Sequence, residues 1–303
     1  MHLVFFVISN WKGFLRPNFE QDLNVFLKQN KIDNITNIFA VPFVSLNMLN
    51  EVFSYHKKSI YTYSEQKNNP TAEDSNIFLS AQNSNYVGKN STGNISSSML
   101  KDLCTHILCG HSETRSEKYS LSEHAIDIIT NNLIPIIFVE NHLELYKLIE
   151  NKSFIKSLSD KQINKLTVIL EPKHYIGKAS AAPIHELEED FKQIKNLLKE
   201  RNIEGKVCYG GSLNKENIWP YVDLFDGICF GRFSLSTDFF PTIYEISSYL
   251  KNNKYQNSNK SLDSNTYKNK QDLLNDNSLT KENHNTAKNL TNNKSQNTEA
   301  RDK

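Results

Sequence analysis

The sequence has no run of 18 apolar residues, which excludes a helix able to cross a membrane. Glycine and proline are scarce, 10 and 8 among 303 residues, so collagen-like and proline-rich architectures are excluded. Four cysteines occur, Cys104, Cys109, Cys208 and Cys229, and no pair has Cys-x-x-Cys spacing, so zinc-ribbon and thioredoxin chemistry lack a motif. Cys208 and Cys229 sit in apolar runs and are expected to pack as small hydrophobes, reduced as in a cytoplasmic protein. No Gly-x-Gly-x-x-Gly turn follows the first apolar run, which argues against a dinucleotide-binding open sheet. Neither sign of charge is in excess: 35 Lys and Arg face 34 Asp and Glu, with none of the basic surplus of a nucleic-acid-binding domain.

Apolar residues are also short, 38% of the chain, where a folded domain usually reaches about 45–50%. The deficit is local. Residues 252–303 hold 14 Asn and two aromatics, with no Gly, Pro, Val, Ile, Phe or Trp. Such a segment cannot bury enough apolar surface to offset its ordering entropy, so it is expected to be a disordered low-complexity tail. The tail carries nine basic and six acidic residues, and the first 251 residues carry 26 and 28. Those 251 residues match the usual length, about 250, of an eightfold β/α barrel.

The first eight residues are apolar but lack a basic flank and a small-residue cleavage site, and read as a buried strand rather than a signal peptide. Seven more short apolar runs follow, at 35–41, 77–81, 105–109, 134–139, 166–170, 207–209 and 227–230. Most are apolar throughout, the pattern of strands buried on both faces of a parallel sheet. Amphipathic stretches at 18–30, 120–131 and 184–201 have helical spacing. Strand–helix alternation over eight units predicts an α/β fold, a parallel (β/α)8 TIM barrel. The spacing between the second and third runs is too long for one helix, so residues 57–76 read as an insertion. Its β-like segment, Ser59 to Ser64, suggests a small hairpin.

In a parallel barrel, polar residues just after strand ends face the reactive rim. Here those ends read Asn10-Trp11-Lys12, Ala81-Gln82-Asn83, Gly110-His111-Ser112-Glu113-x-Arg115, Glu171-Pro172, Tyr209-Gly210-Gly211-Ser212 and Gly231-Arg232. One Lys, one His and two Glu thus converge with glycine turns, whose backbone N–H groups can approach an anion.

In these motifs, together with Thr92-Gly93 and Ile176-Gly177, residues 1 to about 250 resemble the triosephosphate isomerase family. The resemblance implies an aldose–ketose isomerase that interconverts dihydroxyacetone phosphate and D-glyceraldehyde 3-phosphate through an enediolate, without metal or cofactor. It implies Glu171 as base, His111 as electrophile, Lys12 as cation and Glu113 as a rim hydrogen-bond partner. Substrate contacts are implied for Asn10, Lys12, Gly177, Gly211, Ser212 and Gly231, and are expected for the position of Arg232, whose guanidinium joins the phosphate, points outward or blocks the site. A helix start at Ser112-Glu113 is expected to keep His111 uncharged. The resemblance also implies a cytoplasmic homodimer joined through loop 83–96, with no nucleic-acid or membrane partner.

The chain departs from the family in its lid, Lys173-His174-Tyr175 with Ala179-Ser180 at the far hinge, and in Phe138 after the fifth strand. It also departs at Arg232, where a second Gly is usual, and at Asn94 and Thr114, where an ion pair is usual. Two alternatives therefore stay open: a non-catalytic phosphosugar-binding or interaction protein, or an isomerase of a different sugar phosphate. His56, His124, His142 and His185 lie in polar stretches and read as solvated.

Overall fold

Alternating apolar runs and amphipathic stretches become strands and helices in the order the sequence predicts. The computed structural model describes residues 4–15, 19–29, 32, 34–64, 76–85, 92–115, 119–159, 166–178 and 180–253. The strands are β1 (Phe5–Asn10), β2 (Ile35–Val41), β3 (Ile77–Ala81), β4 (His106–Cys109), β5 (Ile134–Val139), β6 (Thr167–Leu170), β7 (Lys206–Gly210) and β8 (Gly227–Phe230). Each pairs in parallel with the next, and β8 pairs with β1 to close the barrel. Closure leaves no edge strand to protect. The helices are α1 (Phe19–Gln29), α2 (Phe43–Ser64), α3 (Ser97–Leu100), α4 (Leu121–Thr130), α5 (His142–Ile149), α6 (Lys152–Ser157), α7 (Ile184–Glu200) and α8 (Trp219–Leu224).

The barrel interior is filled by Ile8, Ile38, Leu108, Ile136, Phe138, Ile169, Cys208 and Cys229. Side chains alternate along a strand, so Asn10, two residues beyond Ile8, continues the inward series and ends it with a polar group. Outside the sheet, fully buried Phe39 meets Phe19, Phe53, Phe239 and Phe240 edge-on or tilted. Trp11 joins this layer through Phe19, ring centroids 4.4 Å apart, and is a packing residue. All four cysteines are free and buried, as expected for the two in apolar runs.

One expectation is corrected. The segment 59–64 is not a hairpin: α2 runs unbroken from Phe43 to Ser64. Buried Leu46, Leu49 and Phe53 anchor its first half at helical spacing, and propagating a nucleated helix overrides the β preference of Ile60 to Tyr63. The rest of the expected insertion, 65–75, lies outside the described residues. Two compact units emerge, Met1–Ser247 and Ser248–Lys303. Helical residues 239–247 end the first, and residues 248–253 of the second are also helical. The tail from 254 onward lies outside the described residues.

Candidate active site

Asn10 ends β1 with its Oδ1 accepting the Lys12 backbone N–H at 3.0 Å and Gln82 Nε2 at 3.3 Å. Its oxygen is committed, so the amide Nδ2 is the group it can offer to a ligand. Lys12 has φ +53°, the left-handed region that non-glycine residues rarely occupy. This conformation lets its ammonium reach across the rim to Glu113 Oε1, 2.6 Å away. Burial works to raise the Glu113 pKa, but the hydrogen bond and charge of Lys12 outweigh it, and the carboxylate is held below its usual range.

His111 follows β4 through Gly110, whose φ is +77°. The expected helix start after it is a turn over 112–114. One donor therefore does the work assigned to a helix end: the Glu113 N–H donates to His111 Nδ1 at 3.1 Å. An accepting Nδ1 carries no proton, so the neutral ring is assigned its proton on Nε2. Burial, then the nearby Lys12 charge, pushes the His111 pKa down to about 4. The expected effect stands and its cause changes: burial leads.

Glu171 directly follows β6 and directs Oε2 to within 3.7 Å of His111 Nε2. Burial raises its pKa to about 7 against the opposing field of Lys12. This is a carboxylate poised to take and return a proton near neutral pH. Gly210 is required beside it, because a Cβ there would lie 2.7 Å from Ile169 Cγ2 and 3.4 Å from Glu171 Oε1. Phe138, where the chain departs from the family, packs edge-to-face with His111, centroids 4.9 Å apart.

Asn10, Lys12, His111 and Glu171 line a cleft of ≈ 470 Å³. All the expected site positions reach it except Glu113, which acts from behind Lys12. Gly177 and Lys178 cover one side, and Ser212 Oγ donates to the Lys178 carbonyl at 2.6 Å. Gly231 and exposed Arg232 also line it.

Several contributors had no role assigned from the sequence. Gln82 fixes Asn10, and Cys229 lines the cleft. The Tyr209 hydroxyl accepts the Ala182 N–H at 2.9 Å, and the Tyr221 hydroxyl donates to the Ala182 carbonyl at 2.6 Å. Arg115 and Glu144 form an ion pair beside His111. A tyrosine in a buried strand is a signal for the second of these, since its hydroxyl needs a partner. His124, read as solvated, is buried with Nε2 2.9 Å from Ser84 Oγ, and burial pushes its pKa to about 4. His142 pairs with Asp190 at 2.5 Å, and His56 has no described side chain. Among the described residues no group of three or more His, Cys, Asp or Glu could hold a metal ion, and no helix is long and apolar enough to cross a membrane.

A closed parallel barrel with a perturbed carboxylate, a neutral imidazole and a cation at its C-terminal rim defines the class: a barrel enzyme built to move protons on an anionic substrate. Comparison with known proteins gives the family. Residues 5–247 match the family model described as triosephosphate isomerase. The chain is 29% identical to the triosephosphate isomerase of Mycoplasmopsis pulmonis (strain UAB CTIP), over 77% of this chain and 94% of that protein. It is 29% identical to that of Wolbachia pipientis wMel, over 80% and 93%, and 27% identical to that of Orientia tsutsugamushi (strain Boryong), over 78% and 95%. The chain belongs to the triosephosphate isomerase family, and is an isomerase of the intramolecular oxidoreductase type.

Proposed function

We propose that this enzyme interconverts dihydroxyacetone phosphate and D-glyceraldehyde 3-phosphate in the cytoplasm, serving glycolysis and gluconeogenesis without metal or cofactor. The observation that carries the reading is the 3.7 Å approach of Glu171 Oε2 to His111 Nε2, on the floor of a cleft that also holds Lys12. Glu171 removes a proton from C1 of the ketose, and the electron pair moves through the new C1–C2 double bond onto O2. The Nε2–H of neutral His111 and the ammonium of Lys12 stabilise that oxyanion. His111 then gives its proton to O2 and recovers one from O1. Glu171 returns its proton to C2, so the balance is an isomerisation. Asn10 Nδ2 orients the substrate, and the N–H groups of Gly177, Gly211, Ser212 and Gly231 receive the phosphate.

The full-length protein should isomerise triose phosphate, and Glu171→Ala should abolish the activity. Equal turnover by the two would remove the reading and leave a binding protein. The Arg232 guanidinium is read as a further phosphate contact. Arg232→Met should raise KM by about tenfold, the worth of one charge-assisted hydrogen bond, and flatten its salt dependence. An unchanged KM and salt slope would place the guanidinium away from substrate. Arg232 also motivates the second reading, a sugar phosphate with another anionic group, which competition against triose phosphate would reveal.

A homodimer belongs to the same proposal. Phe14 and Leu15 after β1, Val44 and Met48 on α2 and Met99 on α3 are all exposed, and the strands that precede them are neighbours in the barrel. Clustered exposed apolar residues mark an interaction surface. Of the expected interlocking loop, 83–96, the described residues 92–96 lead directly into α3, and residues 86–91 lie outside the described residues. Light scattering should give twice the chain mass, and Val44→Asp should lower it toward the monomer.

A further inference from the structure

His111 must keep one ring orientation through turnover, yet it sits between a glycine at φ +77° and a turn. A Cβ on Gly110 would come within 2.4 Å of Leu121 Cδ1, so the bend is tight and special. Glycine adopts this φ without steric cost, so the backbone alone does not fix the turn and a side-chain restraint is needed. The Arg115 guanidinium provides that restraint. Its Nε donates to the Gly110 carbonyl at 2.7 Å, directly before His111. Its Nη2 donates to the Phe138 carbonyl at 3.3 Å, and the Phe138 ring is the wall against which the imidazole rests. One planar group thus ties the end of β4 to the end of β5.

Packing does not hold that guanidinium, since it borders a second cavity of ≈ 200 Å³. Glu144 does. Its Oε1 and Oε2 take Arg115 Nη1 and Nη2 in a two-pronged pair. Glu144 is itself fixed twice: Oε2 also accepts the Glu140 N–H at 2.8 Å, and its own N–H is capped by Asn141 Oδ1 at 3.1 Å. Glu140 lies 4.0 Å from Arg115 Nη1, too distant to replace it.

We propose that Glu144 is a positioning residue for the isomerisation, holding Arg115 so that the turn bearing His111 presents Nε2–H to the reacting oxygens. It touches no substrate and lies outside the cleft. The inference rests on the function proposed above for His111. Without Glu144 the guanidinium can swing into the neighbouring cavity, the Gly110 carbonyl is released, and the Glu113 N–H to Nδ1 contact loosens with the turn.

The test uses the full-length protein and the Glu144→Gln variant, which keeps shape and loses charge. Turnover should fall between about tenfold and a hundredfold, the cost of a small misplacement of a reacting group. KM should stay within about twofold, because ground-state binding is untouched. The imidazole 15N signals of His111 should leave the sharp Nε2–H pattern of the parent. Wild-type turnover together with an unchanged His111 signal overturns the proposal, as does an equal loss of turnover and binding that follows a fallen Tm. Should Glu144→Gln not fold, Arg115→Lys reads the same point: it keeps the charge and loses the fork. There too, wild-type turnover overturns it and reduced turnover at constant KM supports it. If the parent itself isomerises no triose phosphate, the functional reading fails separately, and the 15N comparison still decides the clamp.

Discussion

Glu171 and His111 are perturbed in opposite senses by the same burial, and that opposition sets the pH behaviour. The Glu171 pKa is raised to about 7, so the base is ionised only as pH rises through neutrality, whereas His111, lowered to about 4, stays neutral throughout. For stability the signs run the other way. The Glu171 contribution is full below its unfolded value and is lost as pH rises through about 7. That of His111 is full above its unfolded value and is lost as pH falls through about 4. Glu113 contributes to the raised value of Glu171 through its negative charge, and it engages the ammonium of Lys12, whose field acts to lower that value. Replacing Glu113 by Gln removes the first and frees the second, and both changes favour ionised Glu171. The acidic limb of kcat/KM should therefore move to lower pH in Glu113→Gln. A pH–rate profile in which the limb stays or moves upward contradicts this account.

The strands were legible because each is buried on both faces, which writes a short continuous apolar run into the sequence. Most site residues were legible for a related reason: a barrel places its chemistry at strand ends, so the residue after each run is informative. What escaped reading depends on partners distant in sequence. Glu144 looks like an ordinary first-turn helix acid, and only Arg115, 29 positions earlier, makes it part of the site. His124 lies on a polar-looking stretch, and its partner Ser84 is 40 positions away. The segment 59–64 misled because aromatic and β-branched residues favour strands intrinsically, whereas α2 was already nucleated upstream. The segment that resembles the family's lid shows the same dependence on distance. Its altered residues, 173–175, form a 3₁₀ turn, and Tyr175 OH donates to Glu186 Oε2 at 2.8 Å. Its far end is held by Tyr209, whose ring stacks on Tyr221 at 4.6 Å and whose hydroxyl takes the Ala182 N–H. Tyr209→Phe removes that single acceptor and leaves the packing. The variant should lose about three- to tenfold in kcat/KM, the worth of one hydrogen bond, with Tm little changed. An unaltered kcat/KM would mean that this bond does not steady the lid.

At the scale of the whole molecule, the question is where the chain stops contributing to the fold. Buried Phe239, Phe240, Ile243 and Ile246 all belong to the unit that ends at Ser247. Phe239 and Phe240 close on Phe39 of the aromatic layer, and losing even one large core side chain typically costs about 2–5 kcal/mol. Residues 254–303 contain no Val, Ile, Phe or Trp, and no Gly or Pro to shape a turn. They have little to add to a hydrophobic core and much ordering entropy to oppose one. Two truncations separate these regimes. Ending the chain after Asn253 should shift Tm by less than about 2 °C, the range of a surface change in a domain of this size, and leave kcat and KM as they are. Ending it after Ser236 removes the four buried side chains together and should yield no soluble, active protein. A large loss of Tm or activity in the longer truncation would show that the Asn-rich segment docks on the barrel. Survival of the shorter one would show that the barrel does not need its last helix.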